Sequence, residues 1–121
     1  MAGRKVSGGK YKDSRKKKSF EIKGQKRIVH IGKDKRKKLR VKGGNEKIVM
    51  LSSGIVNVLD KKTNKTQKAE IKNVLETPAN RFFARQQIMN KGAIIETTLG
   101  KAKITNRPSQ EGMTNAILLN Q

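Results

Sequence analysis

The 121-residue sequence has few of the residues that catalytic and metal sites require. It contains no cysteine, which excludes disulfide-stapled folds, cysteine-ligated zinc modules and thiol nucleophiles. It also has one histidine and no tryptophan, and its acidic residues are scattered without paired spacing. General acid–base catalysis and metal binding need such residues in clusters. The sequence therefore predicts a protein that is not an enzyme, with no cofactor, no metal site and no small-molecule substrate.

Long apolar runs are absent as well. Hydrophobic residues make up 33% of the chain, against about 45–50% in ordinary soluble domains. No stretch approaches the ~20 apolar residues of a membrane span, and no apolar segment follows the basic N-terminus as it would in a signal peptide. We therefore expect a small cytoplasmic protein with no membrane partner.

Positive charge is the residue property present in excess. Thirty Lys and Arg residues stand against nine Asp and Glu, a formal net charge of +21. Self-repulsion of this size opposes compaction unless the chain binds a polyanion. Residues 1–47 alone hold 19 basic and four acidic residues, a net charge of +15. Lys and Arg next to phosphates release condensed counterions, which gives affinity for a polyanion. Charge alone leaves RNA, DNA and an anionic membrane open as that polyanion.

The charge distribution divides the chain in two. Residues 1–38 are predicted to be an extended basic tail, because like charges within ~8 Å of one another repel. We expect this tail to be disordered in the free protein. Apolar segments at residues 20–23, 27–31 and 39–42 predict brief strands that form on a partner or along the edge of the body. Residues 39–121 form the predicted body.

The body has an all-β pattern of short apolar segments separated by turn signals, which is typical of a small barrel or sandwich. A tight turn at residues 52–54 is predicted between two of its strands. Residues 81–90 are the single helical candidate, with Asn80 as the N-cap. The predicted strands of the body are residues 48–51, 55–59, 69–75, 93–99, 101–105 and 113–119.

Two details of the basic regions favour RNA with contacts to the backbone. Aromatic residues are only 3% of the chain, so base stacking on an aromatic sheet face is disfavoured. Gly43 and Gly44 permit positive φ, which would let backbone N–H groups approach a phosphate, although a plain flexible turn is an equal alternative. Arg81 and Arg85 would repel each other on one helix face unless a phosphate lay between them, and an irregular loop is the alternative there.

The predicted RNA-binding residues are basic side chains of the tail and body together with the Gly-Gly-Asn element. They are Arg4, Lys5, Lys10, Lys12, Arg15, Lys16, Lys17, Lys18, Lys26, Arg27, Lys33, Lys35, Arg36, Lys37, Lys38, Arg40, Lys42, Gly43, Gly44, Asn45, Arg81, Arg85, Lys91 and Arg107.

Three motifs occur in a specific order: Lys-Gly-Gly-Asn at residues 42–45, Lys-Gly-Ala-Ile-Ile-Glu at 91–96, and Arg-Pro-Ser-Gln-Glu-Gly at 107–112. With them the chain resembles the S8e family of small-subunit ribosomal proteins, in the compact form of its archaeal members. Ser109 and Glu111 stand where that family usually has Gly and Asp. The resemblance implies a β-barrel-like body of short antiparallel strands, with a basic extension inserted among ribosomal RNA helices. It also implies neighbouring small-subunit proteins as partners and the cytoplasmic ribosome as the location.

Together these features predict a structural constituent of the small ribosomal subunit that acts in translation. It would bind ribosomal RNA through phosphate-backbone and shape contacts. Two alternatives remain open: a ribosome-assembly factor that shares the body but leaves the mature particle, and a DNA-compacting chromatin protein.

Overall fold

The computed structural model describes residues 3–12 and 14–119. Its regular elements are mostly strands, with one short helix, so the all-β prediction is confirmed. Single 3-10 turns lie at Ser19–Glu21 and Lys42–Gly44. The other elements are β1 (His30–Ile31), β2 (Lys35–Arg40), β3 (Glu46–Ser53), β4 (Ile55–Asp60), β5 (Lys65–Glu76), α1 (Arg81–Arg85), β6 (Ile94–Thr97), β7 (Gly100–Ile104) and β8 (Asn115–Leu118).

Strands β4 to β8 form a closed barrel in chain order. Neighbouring strands are antiparallel, except that β4 and β8 run parallel where they close the barrel. Closure pairs both sides of every strand, which removes the open edges that an isolated sheet would expose. The predicted barrel-like body is therefore confirmed, with one parallel pair in addition to the expected antiparallel ones.

The barrel interior is filled by the apolar residues that alternate along its strands. Ile95 of β6 pairs with Ala102 of β7, and Ile104 of β7 pairs with Ala116 of β8. All four residues are buried and belong to one hydrophobic core. A large side chain opposite alanine fits the narrow interior of such a barrel.

A second sheet of three strands precedes the barrel in the chain. β3 lies in its centre, antiparallel to β2 and parallel to β1. Only Gly54 separates β3 from β4, yet the two strands belong to different sheets. Both strands around residues 52–54 are thus present as predicted, but they pair with other strands instead of with each other.

Val29 anchors the N-terminal segment to the body. Its side chain is fully buried in the core, and its carbonyl accepts a hydrogen bond from the Met89 N–H at 2.9 Å. The following strand β1 pairs with β3 and bridges to Ile88. Before Val29, every described residue is exposed. β2 crosses the boundary predicted between residues 38 and 39, and the division into tail and body stays a prediction.

The helix is shorter than its sequence pattern. The Asn80 side chain accepts a hydrogen bond from the Phe82 N–H at 3.0 Å, so the predicted N-cap is confirmed. α1 then ends at Arg85 instead of continuing to residue 90. Gln87 adopts a left-handed φ of 55°, which ends the helix. Its side-chain carbonyl accepts from the Val74 N–H at 2.9 Å, so contact with β5 replaces a further helical turn.

Gly112 is in close contact with β3. A Cβ atom added there would lie 2.8 Å from Ile48 Cγ2 and 3.3 Å from Ile48 Cβ. We therefore expect Gly112→Ala to lower the free energy of unfolding by about 1–3 kcal/mol through overpacking. Thermal unfolding of the full chain measures this loss. Gly24→Ala is the matched control, because a Cβ there meets nothing within 4 Å. Equal melting temperatures for the two variants would contradict the close contact.

Candidate nucleic-acid interface

The fold leaves most of its positive charge without a carboxylate partner. All 30 Lys and Arg residues lie at positions that the structure describes. Within residues 3–12 and 14–119, only three salt bridges form. The unneutralised charges produce a field that attracts polyanions. The three pairs are Arg15–Glu21, Arg36–Asp34 and Lys38–Glu46.

Strand β2 holds a dense, ordered row of positive charge. Its sequence is Lys-Arg-Lys-Lys-Leu-Arg, and every residue except half-buried Leu39 is exposed. β2 pairs with β3 on one side only, so its other edge is open. Lys and Arg along an open edge discourage pairing with a second protein strand. The five basic candidates of this strand, at positions 35–38 and 40, therefore lie on an exposed strand, and neighbouring side chains point to opposite faces of the sheet.

The Gly-Gly-Asn element forms the turn between β2 and β3. Gly43 and Gly44 have φ angles of 76° and 75°, so the expected positive φ is confirmed. The Val41 N–H donates to the Asn45 carbonyl at 2.8 Å and closes the turn. Lys42, Gly43, Gly44 and Asn45 are all exposed. Their contact with a phosphate stays a prediction.

The left-handed backbone at Gly44 makes this turn sensitive to substitution. We expect Gly44→Ala to lower the free energy of unfolding by about 1–2 kcal/mol, because an L side chain crowds the carbonyl in this region. Gly44→Asn should cost less, since asparagine tolerates left-handed φ. Urea unfolding of both variants measures the difference. If alanine cost no more than asparagine, the left-handed conformation of Gly44 would be wrong.

Residues 107–112 connect the N-terminal segment and β3 to the barrel. The Arg27 Nε donates to the Ser109 carbonyl at 3.1 Å, and the Lys47 ammonium donates to the side chain of Gln110. The Met50 N–H of β3 donates to the Pro108 carbonyl at 3.0 Å and to the Glu111 carbonyl at 3.2 Å. The Arg-Pro-Ser-Gln-Glu-Gly motif thus positions the point at which the N-terminal segment reaches the body.

Two predicted residues that are distant in sequence lie together beside this loop. Lys91 lies in the segment after α1, and Arg107 lies in the segment after β7. Both nevertheless line one cleft, together with Asn90, Pro108 and Ser109. Pro108 is buried, whereas the two cations are exposed. The two segments that form the cleft therefore hold two positive charges at one concave place.

Arg81 and Arg85 occupy the two ends of α1. Both are exposed, and their i,i+4 spacing on a helix puts them on one face. The Arg81 guanidinium lies 5.4 Å from the centroid of the Phe82 ring, which is half exposed itself. The structure confirms the helix under these arginines, and phosphate binding by them remains a prediction.

The N-terminal candidates lie on an exposed segment with local contacts. Arg4 and Lys10 form an isolated bridge, and the Arg4 guanidinium donates to the Gly8 carbonyl at 2.9 Å. Lys5 lies 5.8 Å from the centroid of the Tyr11 ring. The remaining basic candidates before β2 are also exposed. They are Lys12, Arg15, Lys16, Lys17, Lys18, Lys26, Arg27 and Lys33.

Arg15 differs from these residues because it has a carboxylate partner. Its guanidinium donates to both Glu21 carboxylate oxygens, at 2.8 and 2.7 Å. These bonds, and then the Lys18 backbone N–H, lower the pKa of Glu21. A lowered pKa in the folded chain stabilises it above the ordinary pKa, and that contribution is lost as the pH falls through the lowered value. Since the pair lies on the protein surface, solvent screens it.

Sequence reasoning missed two basic residues that the fold places beside the candidates. Lys23 lines a cleft with Lys26 and Arg27, and Lys47 contacts Gln110. Lys23 precedes Gly24, the same basic–glycine neighbourhood that marked other candidates, so a signal for it existed. Lys47 had no such signal, because its contact depends on a loop 63 positions further along the chain.

Histidine and carboxylate side chains form no metal-binding cluster within residues 3–12 and 14–119. Among the described residues, no three His, Cys, Asp or Glu side chains are grouped so that they could hold a metal ion. In the same part of the chain, no helix is long and apolar enough to cross a membrane.

The His30 ring is exposed, with Nδ1 3.2 Å from the Gln86 carbonyl, and it therefore helps to hold the end of α1 against β1.

Comparison with known proteins agrees with the family that the motifs resemble. Residues 2–119 match the family described as Ribosomal protein S8e. The chain is 46% identical to small ribosomal subunit protein eS8 of Methanococcus aeolicus, over 98% of this chain and 93% of that protein. It is 48% identical to the eS8 protein of Methanocorpusculum labreanum, over 96% and 93% of the two chains. For the eS8 protein of Nanoarchaeum equitans the identity is 45%, over 96% and 91%. The chain belongs to the S8e family of ribosomal proteins.

Proposed function

We propose that this chain is a structural constituent of the small ribosomal subunit, where it binds ribosomal RNA through phosphate-backbone and shape contacts during translation. Its partners are then small-subunit ribosomal RNA and the neighbouring ribosomal proteins, and its place is the ribosome in the cytoplasm. Family membership supports the assignment to the ribosome. The distribution of charge on the fold supports RNA as the direct ligand.

One observation carries the RNA assignment: the folded chain has 30 basic residues and makes only three salt bridges within its described part. Each Lys or Arg that neutralises a phosphate releases a condensed counterion and so contributes to affinity. A protein with this much unpaired charge would be stabilised by a polyanion that brings the opposite charge.

The exposed N-terminal segment and the closed barrel suggest two different kinds of RNA contact. Residues 14–28 are exposed, carry basic side chains in close succession and present no packed face, so they suit a narrow space between RNA helices. The closed barrel is rigid and supplies a fixed shape for docking. The aromatic residues at positions 11, 20, 82 and 83 all lie outside the strands. Contacts to phosphates and 2′-hydroxyls are therefore favoured over base stacking.

Sucrose-gradient fractionation of cell extract at moderate salt tests this function. The protein should migrate with mature small subunits at about one copy per particle. Its confinement to precursor particles would contradict the proposal and support an assembly factor. Its migration with chromosomal DNA would contradict the proposal and support a chromatin protein.

A further inference from the structure

A concave basic groove runs past Ser109, where two clefts meet. One cleft contains Lys91 and Arg107, and the other contains Lys23, Lys26 and Arg27. Ser109 lines both, so the two clefts are adjacent on the surface. The combined lining has five basic residues and no acidic residue. We call this surface the Ser109 groove.

Most polar side chains of the Ser109 groove keep their donors available. The side chains of Lys91, Arg107, Asn90 and Ser109 make no hydrogen bond to any residue in the described part of the chain. The same holds for Lys23 and Lys26. Donors of two kinds are thus collected on one concave surface: cationic groups and neutral amide or hydroxyl groups. This combination matches an RNA backbone, which offers phosphate oxygens and ribose 2′-hydroxyls alternately along one strand.

The backbone under the Ser109 groove is fixed by contacts on both sides. Arg27 Nε donates to the Ser109 carbonyl at 3.1 Å, which joins the two walls. The Gly92 N–H donates to the Ile104 carbonyl at 2.8 Å and holds the turn that carries Lys91. Buried Pro108 lines the first cleft and restricts the loop that carries Ser109. The side of the groove that carries Lys91 and Arg107 is therefore ordered before binding, which reduces the conformational entropy lost when its ligand arrives.

We propose that the Ser109 groove binds the sugar–phosphate backbone of one ribosomal RNA strand. Lys91 and Arg107 contact phosphate on one side of Ser109, and the Lys23, Lys26 and Arg27 cluster does so on the other. Asn90 and Ser109 contact 2′-hydroxyls and make the groove prefer RNA to DNA. This inference rests on the proposed function and adds to it a particular surface and a particular part of the RNA.

The charge contribution is tested with the full chain and small-subunit ribosomal RNA over a series of salt concentrations. In the Lys91→Gln/Arg107→Gln variant, loss of two phosphate contacts should reduce the slope of log affinity against log salt by about 1.4. At 0.15 M salt the affinity should fall on the order of tenfold. Lys61→Gln/Lys62→Gln, in the turn after β4, removes the same charge as a control and should change the slope by much less.

The 2′-hydroxyl contribution is tested by comparing RNA and DNA of the same sequence. Asn90→Ala/Ser109→Ala should reduce the preference for RNA while it leaves the salt slope unchanged. An unchanged preference in that variant would overturn the assignment of 2′-hydroxyl contacts.

The outcomes separate the groove from the function on which it rests. If the wild-type chain binds ribosomal RNA with a steep salt dependence but the groove variant equals the Lys61/Lys62 control, the groove is overturned and the function stands. If the wild-type chain does not bind ribosomal RNA, both are overturned. Melting temperatures equal to that of the wild type establish that the exposed substitutions act on binding.

Discussion

Replacement of Lys16, Lys17 and Lys18 by glutamine should weaken binding to small-subunit ribosomal RNA on the order of 10²-fold at 0.1 M salt. The three side chains are exposed and form no salt bridge with a described residue. Each phosphate contact contributes about 0.7–0.9 to the slope of log affinity against log salt. Loss of three contacts should therefore reduce that slope by about two. A filter-binding or fluorescence titration over several salt concentrations measures both effects.

The control for this variant removes the same charge from the barrel. Lys61→Gln, Lys62→Gln and Lys65→Gln together change the turn between β4 and β5 and the start of β5. If net charge alone determined affinity, the two triple variants would bind equally. A specific role for residues 16–18 requires a much larger loss of affinity in the variant of these three residues than in the control. An unchanged salt slope in that variant would refute the role.

Truncation of Ile95 should produce a large loss of stability. Ile95 is 0% exposed and lies in β6 between β5 and β7, in the core of the barrel. Replacement by alanine removes buried methyl groups and leaves a cavity, which costs about 2–5 kcal/mol of unfolding free energy. Its cross-strand partner Ala102 is too small to fill that space. Urea unfolding, monitored by circular dichroism, measures the loss.

Ile55→Ala is the matched control for the core substitution. Ile55 lies in β4 of the same barrel but is 48% exposed, so its truncation removes less buried surface. The difference in unfolding free energy between the two variants therefore measures how much burial of Ile95 in the core stabilises the fold. If both lost the same free energy of unfolding, the inward orientation of Ile95 would be wrong.

The strands of the barrel's second half could be predicted because their information is local. Ile95, Ala102 and Ile104 alternate with polar or half-buried neighbours, and this period of two is sufficient to assign each strand and its buried face. The turn at Gly100 joins strands that are adjacent in both sequence and space. Asn80 likewise marks the start of α1 through a contact two residues away.

Contacts between distant segments could not be predicted in this way. The parallel pairing of β4 with β8 brings Asn57 and Asn115 within 3.1 Å across 58 positions of sequence. Residues around Gly54 have the composition of a turn, but composition does not tell whether the next strand pairs back or enters another sheet. The end of α1 after Arg85 is another such case, because it depends on the Gln87 contact with β5.

The candidate interface shows the same limit. Lys and Arg could be selected from the sequence by density and by neighbouring glycine, but charge has no period that reveals which residues share a surface. Lys91, Arg107 and Arg27 come together only through the loop at Ser109, and the contact of Arg27 with that loop spans 82 positions. Lys23 joins them for the same reason. The fold thus converts a general excess of charge into a defined surface.

A crosslinking map from the protein to RNA in purified ribosomal particles would identify the residues that touch RNA. We expect crosslinks to small-subunit ribosomal RNA that concentrate in residues 14–28, in β2 and in the Ser109 groove. Few should come from the turn at Lys61 and Lys62. Crosslinks spread evenly over all exposed basic residues, or absent from small-subunit RNA, would contradict the proposed mode of binding.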